Sequence, residues 1–162
     1  MGNPRKDEFL NWLCEANALE KQTERLFEAQ AEYYEDYPNI QVSLSAEINH
    51  SKHFQKLLVD KIDALDKGSI ITRRDDEFIA NTQNVLGMET VDQPVKGVLA
   101  LHTFTQLEIG TFKILKAAAS AENQDDLLLL SESIIMHLEA RAAWLEQELD
   151  HVTRKYLLRK AA

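Results

Sequence analysis

Glu47-Ile48-Asn49-His50 is the stretch of this chain best suited to do chemistry. It is a Glu-x-x-His step inside a long segment of helical periodicity. At about 100° per residue, positions three apart share a face, so a carboxylate and an imidazole project together, one turn apart. Ile40, Leu44, Phe54, Leu58, Ile62 and Leu65 follow the same stripe. Glu47 and His50 are therefore expected to point where the apolar side chains point. A carboxylate facing a core is costly unless it is paired, protonated or bound to a cation.

Three more glutamates could join them. Glu20 continues the stripe of Leu13, Ala16 and Phe27. Glu108 lies within about 40° of Leu101, Phe104, Phe112 and Leu115 at helical periodicity, in the middle of an apolar face. Glu139 sits at the edge of the stripe Leu127, Leu130, Ile134, Leu138, Leu145, Leu149 and Val152. Reflection through the turns between helices puts Glu20 opposite Glu47, and Glu108 opposite a position next to Glu139. Four glutamates at one level of a helical bundle make a carboxylate ring, and di-metal bundles build their sites from Glu and Glu-x-x-His on facing helices. The second half lacks the histidine: Ala142 stands where the pattern repeated from His50 would place one. Glu148-Leu149-Asp150-His151 is a second Glu-x-x-His, but it lies about 13 Å further along the axis and reads as a polar pair near a helix end.

The elements that must carry these residues are legible from periodicity and punctuation. With 162 residues the chain fits one domain, residues 1–162, and its five glycines and three prolines favour long helices over a turn-rich β fold. Helices are predicted over about 7–34, 38–66, 94–121 and 126–158, with a short one over 73–86 inside a crossover connection. The fold class is all-α: an antiparallel four-helix bundle with a long crossover. Tyr33, Tyr34 and Tyr37 are expected to plug a bundle end. The net charge of −9 argues against a nucleic-acid surface. The absence of an apolar run of about 20 residues argues against a membrane span. Lone Cys14 and an N-terminus with no apolar leader-like stretch suggest a cytoplasmic protein.

The chain resembles the ferritin-like superfamily, and within it the small bacterial stress proteins of the YciE/YciF type. The resemblance rests on Ala18-Leu19-Glu20-Lys21-Gln22, Glu47-Ile48-Asn49-His50, Leu107-Glu108-Ile109 and Leu138-Glu139-Ala140-Arg141. It implies a homodimer and a site for iron or manganese, with redox chemistry of the di-iron oxidoreductase kind. Glu20 and His50 would be terminal ligands of one metal, Glu47 and Glu139 would bridge, and Glu108 would hold a second. Such relatives tend to carry a further acid near the positions of Thr105 and Ala143, and this chain has none there. The alternative is a structural or interaction bundle that has lost metal chemistry, in which Glu47, His50 and Glu108 satisfy one another with Arg141 or water.

Overall fold

In the computed structural model, which describes residues 3–66 and 93–161, the described chain is four long helices and one short 3-10 segment. Helix α1 spans Pro4–Ala31 and α2 spans Pro38–Leu65. Helix α3 spans Pro94–Ala121 and α4 spans Asp125–Ala161. The crossover and the short helix expected over 73–86 lie outside the described residues.

Proline sets three of the four starts. Pro4, Pro38 and Pro94 each stand in the first turn, where the missing N–H has no intrahelical partner in any case. Asn3 caps α1, its side chain accepting from the Arg5 N–H at 3.1 Å. The last turn of α1 tightens into the 3-10 segment Glu32–Tyr34, so the α-helix stops at Ala31. Between α3 and α4 the backbone turns at Asn123, with φ 55°, a left-handed conformation that asparagine tolerates. The Gln124 N–H then reaches back to the Ala119 carbonyl at 2.8 Å. Asp125 and Asp126 lie at the positive end of α4, and Arg159 and Lys160 at its negative end.

Contacts at the ends fix the topology. Tyr34 near the end of α1 donates to the Pro94 carbonyl at the start of α3, and Arg5 at the start of α1 pairs with Glu122 just past the end of α3. Helices α1 and α3 are thus antiparallel. Lys61 near the end of α2 pairs with Asp126 at the start of α4, and Lys155 near the end of α4 donates to the Asp36 carbonyl just before α2. Helices α2 and α4 are therefore antiparallel as well. With α1–α2 and α3–α4 forming hairpins, α2 and α3 run the same way, and the chain must travel the length of the bundle between them. This is a ferritin-like four-helix bundle.

Its interior falls into two apolar blocks. One joins Phe9, Leu13, Phe54, Leu58, Phe112, Leu115, Leu127, Ile134 and Leu138. The other joins Leu19, Phe27, Tyr34, Ile40, Leu44, Leu101, Phe104, Leu145 and Val152. The aromatic plug is Tyr34 with Tyr37, edge to face at 6.1 Å and both buried; Tyr33 is exposed. Tyr34 also explains Gly97: a Cβ there would run into the tyrosine hydroxyl and the Gln30 side chain. A buried polar group lies where the two blocks adjoin.

Candidate functional site: a buried guanidinium among three carboxyls

Helix α1 contributes Glu20 and Thr23, α2 Glu47 and Ser51, α3 Glu108, and α4 His137 and Arg141 to this layer. Glu20 and Glu108 have no exposed surface, and Arg141 is 2% exposed. The Arg141 Nε donates to Glu47 Oε2 at 2.8 Å and its Nη1 donates to Glu108 Oε1 at 2.7 Å. Phe27 covers the guanidinium carbon, 4.8 Å from the ring centre. One cation on α4 thereby joins carboxyls from α2 and α3.

The Ser51 hydroxyl lies 2.7 Å from Glu20 Oε2 and 2.8 Å from the Glu20 carbonyl, tying α2 to α1. His137 donates from Nε2 to Glu47 Oε2 at 2.8 Å, since a carboxylate can only accept. His50 lies against His137, ring centres 4.2 Å apart, and His137 meets the edge of Phe54 at 5.4 Å.

The electrostatics differ from group to group. Burial pushes Glu108 well above the usual carboxylate range; the charge of Glu20 and a hydrogen bond between the two carboxyls add to this, against the opposing pull of Arg141. Burial would also raise Glu47, but the His137 hydrogen bond and the charges of Arg141 and His137 outweigh it and hold Glu47 below its ordinary value. Burial works against the charge of Arg141, but the surrounding Glu108, Glu47 and Glu20 outweigh it and hold the guanidinium above its ordinary value. His50 is pushed down by desolvation of its ring and then by the neighbouring His137.

The fold brings Glu20, Glu47 and Glu108 together and leaves out Glu139 and His50, which are both exposed. Helix phase gives the reason. On α2 the buried face runs through Ile40, Leu44, Ser51 and Leu58. Glu47 lies on the flank of that face, and three residues further the helix has turned His50 past its edge. Ser51, four residues on from Glu47, takes the inward place. Across the first hairpin Glu20 therefore meets Ser51 rather than Glu47, because the 3-10 segment moves the centre of the hairpin to about Glu35. On α4, the buried face centres on Leu138 and Leu145 and takes in Arg141; Glu139 falls about 100° away from Leu138. The residues that spacing overlooked are Ser51 and His137. Arg141, expected as a partner of the glutamates if no metal is held, takes that place: it pairs with Glu47 and Glu108 and lies one turn beyond Leu138, on the apolar stripe.

These donors do not fit a divalent ion as they stand. Arg141 already takes one oxygen of Glu47 and one of Glu108, His137 donates to Glu47, and His50 is exposed. Among the described residues no group of three or more His, Cys, Asp or Glu side chains is arranged to hold a metal ion. Nor is any described helix long and apolar enough to cross a membrane.

Comparison with known proteins agrees with the fold. Residues 5–158 match the model of a domain of unknown function, DUF892, and the chain belongs to that family. The crystal structure of protein XCC3681 from Xanthomonas campestris pv. campestris superposes with a TM-score of 0.80 at 20% identity, over 99% of this chain and all of that one. At that identity the likeness speaks for the fold alone.

Proposed function

We propose that this chain is a non-enzymatic ferritin-like bundle, cytoplasmic as its lone cysteine and N-terminus suggest and stress-related as the family resemblance implies, that works as a structural or interaction protein and has given up metal chemistry. The observation that carries this reading is Arg141. A guanidinium hydrogen-bonded to Glu47 and Glu108, with no exposed side-chain surface, supplies the positive charge that a carboxylate layer needs. The competing reading has iron or manganese held by Glu20, Glu47, His50, Glu108 and Glu139. It would require Arg141 to leave the core and both Glu139 and His50 to turn inward, which means rotating α2 and α4 against their apolar faces.

Surface composition supports the interaction half of the proposal. Leu99 and Ile114 on α3 and Leu129 and Met136 on α4 stand exposed on outer faces, Leu129 at 63% and Met136 at 72%. The exposed positions between them on α3 include Thr103 and Gly110, and on α4 Ser133, with Ala140 one turn beyond Met136, so neither helix surrounds its apolar residues with charge alone. A second copy of this chain is the partner we propose for these faces.

Two measurements test the proposal. Metal-free protein titrated anaerobically with iron(II) or manganese(II) should show no core binding by calorimetry. Sedimentation should show a dimer that Met136→Glu with Ile114→Glu weakens. Tight metal uptake lost on Glu108→Gln would reject the metal-free reading, and a concentration-independent monomer would reject the self-association.

A further inference from the structure

We propose that the cleft at the tyrosine-rich end of the bundle is a binding site for a small aromatic carboxylate, a planar ring system carrying one negative charge. The site is separate from the polar layer: Tyr156 stands fifteen residues beyond Arg141 on α4, about 22 Å along the axis. The proposal therefore goes beyond the metal-free reading and does not depend on it.

The placement of the tyrosines is the first support. The chain has four, and Tyr33, Tyr34, Tyr37 and Tyr156 all lie at this end of the bundle. Packing accounts for two of them. Tyr34 is buried and donates to the Pro94 carbonyl, and Tyr37 is buried with its ring edge to face with that of Tyr34. Tyr33 and Tyr156 take no part in that plug, and Tyr33 is 41% exposed. Both line a cleft of about 290 Å³, with Tyr37, Asp36, Arg159 and Lys160 also on its walls. Aromatic faces that the fold does not consume are surfaces on which a flat ring can stack.

The charges define the other half of the ligand. Asp36 holds two cations in place: its carboxylate pairs with Arg159 Nη1 at 2.7 Å, and its carbonyl accepts from Lys155 Nζ at 2.6 Å. Lys160 has no carboxylate partner among the described residues; its ammonium lies 5.5 Å from the centre of the Tyr156 ring. Arg159 and Lys160 on the cleft wall thus face the single carboxylate of Asp36, which leaves one positive charge unbalanced. In a chain of net charge −9 that is a local reversal of sign. One unbalanced charge matches a carboxylate better than a doubly charged phosphate. A guanidinium has five donors and Asp36 pairs with one of its nitrogens, so Arg159 can hold a ligand carboxylate alongside Lys160. Size narrows the class further. A volume of about 290 Å³ is at the small end of ligand pockets, enough for one or two fused rings and an acid group and too little for a dinucleotide.

The test uses the full chain with 2-naphthoate as the probe. Calorimetry measures binding, and the ring signals of isotope-labelled tyrosine in nuclear magnetic resonance report its place. Saturable binding is expected, with the Tyr33 and Tyr156 signals shifting most. The ring-saturated acid should bind about fivefold more weakly because stacking is lost. The neutral alcohol, 2-naphthylmethanol, should bind about tenfold more weakly because the charge-assisted bonds are lost. Lys160→Gln should weaken 2-naphthoate binding about tenfold and Tyr156→Leu about fivefold. Neither substitution should move the thermal unfolding temperature, since both side chains lie outside the two apolar blocks. Absence of saturable binding overturns the proposal. So does binding unchanged in both Lys160→Gln and Tyr156→Leu, which would put the probe elsewhere. Binding of 2-naphthyl phosphate that is tighter by about tenfold or more would overturn the carboxylate assignment in favour of phosphate esters. All of these outcomes leave the metal-free reading intact, because that reading rests on Arg141.

Discussion

The two sides of the polar layer use the same residue type to opposite effect. Between α1 and α3, Glu20 and Glu108 are sealed, with no exposed surface and the apolar blocks close by. Between α2 and α4, the Glu47 side chain is 13% exposed and that of His137 is 25% exposed. On the sealed side, burial dominates and Glu108 takes a proton. On the open side, His137 and Arg141 dominate and Glu47 stays charged. Arg141 reaches both sides. The contrast shows that a carboxylate's state in a bundle is decided by how many donors reach it before burial wins, not by its residue type or its place in a motif.

Removing the shared cation should break the comparison most severely. Arg141→Met is expected to cost about 3–5 kcal/mol in urea unfolding near neutral pH, because it leaves carboxylates buried without their partner. The loss should shrink as pH falls, since Glu47 can then take up a proton in place of its bond to the guanidinium. A loss that does not change with pH would mean that the alkyl packing of Arg141, not its charge, sustains the layer.

Substitutions on either side should separate in their pH dependence. Glu47 has a folded-state pKa below its unfolded one. Its contribution is therefore present above the unfolded value and disappears as pH falls through the folded value. Glu47→Gln should cost about 1–3 kcal/mol near pH 7, the scale of hydrogen bonds to a charged group, and very little in acid. Glu108 behaves in the opposite sense. Its folded pKa is raised, so its contribution is complete below the unfolded value and is lost as pH rises through the folded one. Glu108→Gln, which cannot ionise, should lose less stability than the wild type on going from about pH 6 to about pH 9. Parallel pH profiles for the two variants would erase the distinction between the sides.

The smallest effect is expected at His50. As an exposed residue, His50→Ala should shift stability by no more than about 0.5 kcal/mol at neutral pH. Its folded pKa is depressed, so any contribution is present above the unfolded value and lost as pH falls through the folded one. The alanine variant should therefore be slightly less acid-sensitive than the wild type. A large loss at neutral pH would show that the His50 ring, tilted against His137, holds the open side together.

The sequence by itself determined the helices and much of the layer's membership. Proline at the first turns, the break at Glu35–Pro38 and the turn at Asn123 are local signals, and they set helix boundaries through the geometry of one or two residues. The inward positions of Glu20 and Glu108 were equally legible, because each sits near the centre of a wide apolar stripe, where a phase error of tens of degrees changes nothing. At the edge of a stripe the same error moves a side chain from core to solvent, which is why Glu139 and His50 were placed inside and stand outside. Only the tertiary structure decided which residue faces which. The 3-10 turn after α1 shifted the hairpin so that Glu20 meets Ser51. The rotation of α4 brought Arg141 rather than Glu139 into the layer. A motif records which groups share a helix face, but the charge that satisfies a buried carboxylate comes from another helix, and its arrival depends on the phase and register of both.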